Sequence, residues 1–168
     1  RAGLTDAGAI STIALPDTLV VCFMLNTQMM EGCATTTRSI VEQRRSDPIR
    51  IVPVPMRVEL AEKQLLDRAF AQAQRLFEPL MSASPPEDRD RYWREIVFFS
   101  TPYYAFGTCL AVFGDAHLQS DSILASAMRL ATHLADRPLG AGPLVSDEQR
   151  REVLARYDAP DSTRPFPP

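Results

Sequence analysis

Few side chains in this sequence have the type and spacing that catalysis or metal binding requires. The seven glycines never precede a Gly-Lys-Ser/Thr group, so a Walker A phosphate loop is absent, and residues 140–142 lack the third glycine of a dinucleotide fingerprint. No serine stands in a G-x-S-x-G elbow. His117 and His133 lie away from carboxylates at ligand spacing, and the acids within 87–90 belong to a solvated run of charges. The sequence therefore predicts no catalytic residue and no metal site in this chain.

Composition and charge exclude several function classes. The net charge is −3 with both signs mixed, which is unlike the basic footprint of a nucleic-acid binder or a polybasic membrane surface. No apolar run approaches the length of a membrane span, and no signal peptide is recognisable. With 168 residues the chain is long enough for one domain with its own core.

The cysteines are odd in number and far apart. Cys22, Cys33 and Cys109 each lie in an apolar pattern, without CxxC or Cys/His metal spacing. We therefore expect buried, reduced thiols, which favours a reducing cytoplasm.

The elements that must position any site are organised around residues 17–26, DTLVVCFMLN. Leu19–Leu25 form an unbroken apolar run of strand length. The run does not alternate between polar and apolar, so we expect both faces to be buried, as in a central strand of a parallel sheet. Asn26-Thr27 follow the run and are good helix-capping residues.

Two further strands are expected. Ile49–Pro55 reads as the second, and its pairing should end near Val52–Val54 because Pro53 and Pro55 cannot donate to a ladder. Tyr92–Phe99 reads as a shorter third strand.

Helical patterns separate and follow these strands. The expected helices are Gln28–Arg45, Leu60–Phe77 with Leu65 on its apolar face, Tyr103–Phe113, Ser120–Asp136 capped by Ser120 or Asp121, and a last helix opened by a capping box at Ser146–Gln149. Residues 1–16 read as a small-residue loop and 159–168 as a disordered proline-rich tail. We thus expect one α/β domain over 1–158, with a partial three-layer, doubly wound, mostly parallel sheet flanked by helices.

Three loops should gather at one edge of such a sheet. They leave the carboxyl ends of the strands at Asn26-Thr27, Met56-Arg57 and Thr101–Tyr103, and ligands of open α/β sheets bind at that edge. The Arg57 guanidinium, the Pro102 ring and the Tyr103 ring could sandwich a flat heterocycle by stacking. The alternative is an ordinary sheet rim with a surface arginine and a packed tyrosine.

Several stretches resemble the second half of a deviant-Walker ATPase of the ParA/MinD/CobQ type. They are RAGLTD, PDTLVVCFMLN, IRIVPVPMRVE and STPYYAFGTCLAVFGD, and the likeness covers about residues 1–134. More narrowly, the chain is similar to bacterial ATPases with a variant KGGVGR phosphate loop. The resemblance implies a P-loop NTPase-like fold that lacks its amino-terminal, phosphate-loop half.

The resemblance also implies roles for particular residues. Arg1, Ala2 and Gly3 match a switch segment, Met56 and Arg57 match positions that approach the adenine, and Pro102 and Tyr103 match the loop that closes over the base. ATP and magnesium would then bind in the intact parent, with neither held tightly by this chain alone. The implied partners are the upstream phosphate-loop half and a second copy in a homodimer.

Three functions are open at this stage. The first is part of an ATP-hydrolysing switch domain, whose isolated segment is inactive. The second is a non-enzymatic α/β scaffold for protein partners, and the third is a small enzyme acting on another ligand at the same edge. A truncated sheet would leave an edge unpaired, which predicts self-association.

Overall fold

A computed structural model describes residues 16–60, 63–81, 86–106, 109–115, 119–139 and 145–158. The chain divides into two compact units, Arg1–Ser100 and Thr101–Pro168. One α/β domain over 1–158 stays a prediction. Residues 1–15 of the expected leading loop at 1–16 and the whole proline-rich tail at 159–168 lie outside the described residues.

The described chain is α/β, as the sequence predicts. The first unit holds β1 (Thr18–Met24), α1 (Thr27–Gln43), β2 (Arg50–Met56), α2 (Lys63–Phe77), a 3-10 turn (Glu78–Leu80) and α3 (Pro86–Glu95). The second unit holds α4 (Pro102–Phe106), α5 (Ala111–Gly114), α6 (Ile123–Ala135) and α7 (Asp147–Asp158). Among the described helices, none combines the length and the apolar character that crossing a bilayer requires.

The β1–α1–β2 segment forms a parallel pair joined by a crossover helix. Thr18 pairs with Arg50 at one end and Met24 with Met56 at the other. One face of this sheet packs on α1 in a core that contains Ile40 and Ile51. On the same face, Phe23 stacks on Phe77 of α2 with ring centroids 4.5 Å apart. The predicted parallel strand pair is confirmed.

The expectation that β1 is buried on both faces is wrong. Phe23 is 1% exposed, whereas its neighbours Cys22 and Met24 are exposed. Among the described residues β1 pairs with β2 alone, so it lies at an edge of the sheet and not at its centre. An unbroken apolar run is therefore compatible with a strand that has one open face.

The expectation that proline ends β2 near Val54 is also wrong. The strand continues to Met56, and Pro53 and Pro55 pair in register with β1. Successive peptide groups of a strand point to opposite sides. The Arg50 N–H donates to Asp17 O at 2.9 Å, so even-numbered residues of β2 face β1 and both prolines face away from it. The absence of their N–H groups therefore removes no hydrogen bond between β1 and β2.

The first half of the predicted third strand is helix, and its second half lies beside the end of β2, where Phe98 N donates to Pro55 O. Tyr92–Glu95 end α3, which begins at Pro86, and only Phe99 forms a parallel bridge, with Val58. The Tyr92 hydroxyl donates to Pro53 O at 2.5 Å, which satisfies a carbonyl that points away from β1. The Pro53 carbonyl is therefore hydrogen-bonded by a tyrosine side chain, whereas a neighbouring strand would have supplied a backbone N–H.

The helices of the second unit differ from the predicted ones in their bounds. In place of the helix predicted over Tyr103–Phe113 the described residues form two shorter helices, and Leu110, just before the second, has an extended backbone. The cap of α6 is Ser122, whose hydroxyl accepts from Ala125 N at 3.0 Å, in place of Ser120 or Asp121. The capping box of α7 is confirmed by reciprocal bonds between Ser146 and Gln149.

Candidate functional site

A groove of about 280 Å³ lies where β1 and β2 end in the first unit. Three segments line it: the residues that leave β1, the residues that leave β2, and one face of α2. They are Met24, Leu25, Asn26, Arg57, Val58, Glu59, Leu65, Leu66 and Ala69. The loops after the two strands therefore meet at the carboxyl edge of the sheet.

Asn26 fixes the point at which the chain turns from β1 into α1. Its side-chain oxygen accepts from Met29 N at 2.8 Å, and its carbonyl accepts from Met30 N at 3.0 Å. Both oxygens of Asn26 thus stabilise the first turn of α1. The remaining amide group of the side chain can donate to an acceptor in the groove.

Arg57 turns the chain out of β2 with a left-handed backbone. Its φ is 53°, and among the described non-glycine residues only Asp136 shares a positive φ. A residue with a Cβ pays roughly 1 kcal/mol in this region. The turn reverses the usual alternation of the strand. Both Pro55 O and, three residues later, Val58 N face the Phe98 segment: Phe98 N donates to Pro55 O, and Val58 N donates to Phe98 O.

The walls of the groove combine apolar surface with two charges of opposite sign. Leu65 is 62% exposed and Met24 is 37% exposed, so both offer apolar area that the described protein leaves uncovered. Arg57 and Glu59 are also exposed. Such a surface suits a flat ring that stacks on apolar atoms and a guanidinium while its edge meets donors and acceptors.

Arg57 alone of the four predicted base-contacting residues lines this groove. Met56 is half-buried as the last residue of β2 and is not among the lining residues. In the second unit, Pro102 begins α4, and the half-exposed Tyr103 ring meets Tyr104 edge-to-face at 5.1 Å. It remains a prediction that Pro102 and Tyr103 contact the same base as Arg57.

The remaining expected site residues are not placed by the structure. Arg1, Ala2 and Gly3, the expected switch segment, lie outside the described residues. His117 does too. Within the described ranges, no three His, Cys, Asp or Glu side chains form a group that could hold a metal ion.

A polar cluster in the second unit was not predicted from sequence. The Tyr104 hydroxyl donates to Asp115 Oδ1 at 2.6 Å, and Leu124 N donates to Asp115 Oδ2 at 2.9 Å. Arg150 donates to the carbonyls of Phe113 and Asp115. Burial, with the hydrogen bond to Asp115, raises the pKa of Tyr104. Each oxygen of the buried Asp115 carboxylate thus accepts a hydrogen bond, and the cluster ties α4, α5, α6 and α7 of the second unit together.

The cysteines are free thiols but are not uniformly buried. Cys109 is buried and Cys33 is half-buried, whereas Cys22 is exposed on β1. Partial burial, with a smaller contribution from Cys33, raises the pKa of Cys22. A raised pKa lowers the thiolate fraction, so Cys22 is not an activated nucleophile.

Comparisons with protein-family models, with curated proteins and with solved structures gave no match. The class that the fold itself defines is an α/β protein with a parallel β–α–β unit and a groove at the carboxyl edge of its strands.

Proposed function

We propose that this chain is the carboxyl-terminal part of an ATP-binding and ATP-hydrolysing switch domain, and that it supplies the wall on which the adenine lies. The groove where β1 and β2 end is the observation that carries the proposal. Open α/β sheets bind their ligands outside the carboxyl ends of the strands. The sequence resemblance to deviant-Walker ATPases adds support, and with it a P-loop NTPase-like, doubly wound sheet in the complete domain.

In this proposal the groove binds the base and not the whole nucleotide. Its volume of about 280 Å³ lies just below the range for ligand pockets, roughly 300–1,000 Å³. Arg57 stacks on one face of the ring, Leu66 and Met24 provide apolar contact, and Glu59 accepts a hydrogen bond from an exocyclic amine. Pro102 and Tyr103 close over the base, and Met56 supports the Arg57 turn from within β2.

The phosphates and magnesium are assigned to the upstream half of the domain. Phosphate binding needs backbone N–H groups at a helix amino terminus and a lysine, which the resemblance places before Arg1. Arg1–Gly3 then act as the switch segment that follows the metal-binding strand. The three reduced thiols suit a cytoplasmic protein.

Binding of adenosine and of ATP to this chain tests the proposal. Because only the base is contacted, calorimetry should give similar, weak affinities for both ligands. Arg57→Ala should weaken both by roughly 1–2 kcal/mol, since a stacked, charge-assisted contact is lost. Arg38→Ala is the matched control, because Arg38 is an exposed arginine of α1 that does not line the groove.

Three other outcomes of this binding experiment would contradict parts of the proposal. Unchanged affinity in Arg57→Ala would remove Arg57 from the site. Much tighter binding of ATP than of adenosine would show that the chain holds phosphate itself. Absence of binding by both ligands would favour the non-enzymatic scaffold.

A further inference from the structure

A second groove of the first unit lies at the carboxyl end of α2. Its volume is about 370 Å³, within the range of roughly 300–1,000 Å³ for small-molecule pockets. Residues of α2, of the 3-10 turn and its following residue, and of α3 line it: Gln74, Arg75, Glu78, Pro79, Met81 and Arg89. None of them lines the groove where β1 and β2 end. This charged groove is therefore separate from the site of the proposed function.

Two cations and one anion line the charged groove without neutralising one another. Arg75 and Glu78 are three positions apart, a spacing at which opposite charges on a helix can pair. In the part of the chain that the structure describes, no hydrogen bond or ion pair joins the side chain of Arg75, Glu78 or Arg89 to another residue. The groove thus offers both signs of charge to a ligand, with one positive charge in excess.

Arg89 lines this groove with a guanidinium that is partly withdrawn from water. The residue is half-buried, and its Nε is buried without a hydrogen-bond partner. A buried donor left unsatisfied costs about 1–3 kcal/mol, so its retention calls for an explanation such as ligand binding. Because Nε is buried, the donors that Arg89 can offer a ligand are its terminal nitrogens. Partial burial also restricts the side chain before binding, which lowers the entropy lost when a ligand binds.

We propose that the charged groove binds an acidic amino acid, aspartate or glutamate. Arginine binds carboxylates through two parallel N–H···O bonds, so Arg75 and Arg89 each take one carboxylate of the ligand. Glu78 accepts from the α-ammonium group. Pro79 and Met81 provide apolar contact for the methylene groups.

Charge balance favours this ligand over simpler anions. An acidic amino acid carries two negative charges and one positive charge at neutral pH, which matches the two arginines and one glutamate of the groove. Inorganic phosphate would leave Glu78 facing a like charge. A neutral amino acid would leave one arginine unpaired. The site needs no nucleotide and goes beyond the proposed function.

Calorimetric titration of the full chain with aspartate and glutamate tests this site. Succinate and glutarate lack the ammonium group, whereas asparagine and glutamine lack the second carboxylate. Each analogue should bind about tenfold to a hundredfold more weakly than the amino acid it matches, because one charged contact is lost. Inorganic phosphate should bind no more tightly than these analogues.

Substitutions then locate the binding site. Arg89→Gln should weaken binding of the acidic amino acid by about tenfold or more. Glu78→Gln should weaken it as well, but should tighten binding of succinate or glutarate because a repelling charge is removed. Arg94→Gln is the matched control, because Arg94 is an exposed arginine of α3 that does not line the groove. Arg57→Ala should also leave this binding unchanged, which separates the test from that of the adenine site.

Urea unfolding of each variant establishes that it is folded before binding is measured. Absence of binding by both acidic amino acids would overturn the proposal. So would equal affinity for an amino acid and its analogue without the ammonium group, or phosphate binding as tight as that of the amino acids. A folded Glu78→Gln variant that still prefers the amino acid to that analogue by the same factor would also overturn it.

Discussion

At the scale of single residues, two tyrosine hydroxyl groups stabilise the fold through hydrogen bonds, one buried and one partly buried. Tyr92 donates to Pro53 O in the first unit, and Tyr104 donates to Asp115 in the second. Burial is the main cause that raises the pKa of each. Both hydroxyls therefore keep their protons in the folded protein at pH values where a free tyrosine begins to lose its own.

This difference predicts a loss of stability at high pH. The unfolded tyrosines ionise near pH 10, so the stabilisation is complete below that pH and declines above it as the pH approaches the raised folded pKa. Urea unfolding between pH 9 and pH 11 measures the effect. The cysteines should first be replaced by serine, because the pKa values of Cys22 and Cys33 are also raised. A Tyr92→Phe, Tyr104→Phe double variant should show a flatter profile, and an equal slope would contradict the assignment.

The position of the Tyr104 side chain requires glycine at residue 114. A Cβ at this position would clash with the Tyr104 hydroxyl, which its bond to Asp115 holds in place. Gly114→Ala should therefore lower the free energy of unfolding by about 1–3 kcal/mol. The control is Gly32→Ala in α1, where a Cβ meets nothing within 4 Å and alanine should stabilise the helix by up to about 1 kcal/mol. Equal effects of the two changes in urea unfolding would contradict this packing.

At the scale of elements, the start of α6 gives a sharp test. The Ser122 hydroxyl is buried and caps the helix, whereas the Ser120 hydroxyl bonds only the exposed Asp121 side chain. Ser122→Ala should cost about 1 kcal/mol of stability. Ser120→Ala should change stability by less than about 0.5 kcal/mol in the same unfolding measurement. The reverse ranking would show that the helix begins earlier.

The sequence predicted the start of a helix correctly where a single capping residue or capping box determines it. Asn26 caps α1 and the Ser146–Gln149 box opens α7, because each cap bonds only its own first turn. The start of α6 was mispredicted, because three successive residues could serve as the cap. Besides the Ser122 cap, Asp115 stabilises this start by accepting from Leu124 N in the first turn.

The strands show a second limit of sequence reasoning. Apolar content correctly predicted that β1 and β2 are strands, but it does not show which side of a strand each N–H faces. The prolines of β2 were therefore expected to end pairing that they do not disturb, and the exposed face of β1 was expected to be buried. Tyr92 was assigned to a strand because its aromatic and apolar neighbours resemble one, although the acidic and basic residues before it form the first turns of α3.

The candidate site was predicted in part. Arg57 and the loop after β1 were expected at the carboxyl edge and lie in one groove. Glu59 was missed because a lone surface acid gives no signal, and Leu65 was assigned to the core because its helical stripe is apolar. The exposure of Leu65 depends on what α2 packs against, which periodicity does not specify.

At the scale of the whole molecule, the central claim is that the carboxyl edge of the β1–β2 sheet binds an adenine. The most direct measurement is a map of backbone amide chemical shifts during titration with adenosine. The account predicts the largest shifts at Asn26, Val58, Glu59 and Leu66, with Tyr103 joining them if its loop closes over the base. Shifts confined to the groove of the second unit around Val153 and Arg156 would contradict it.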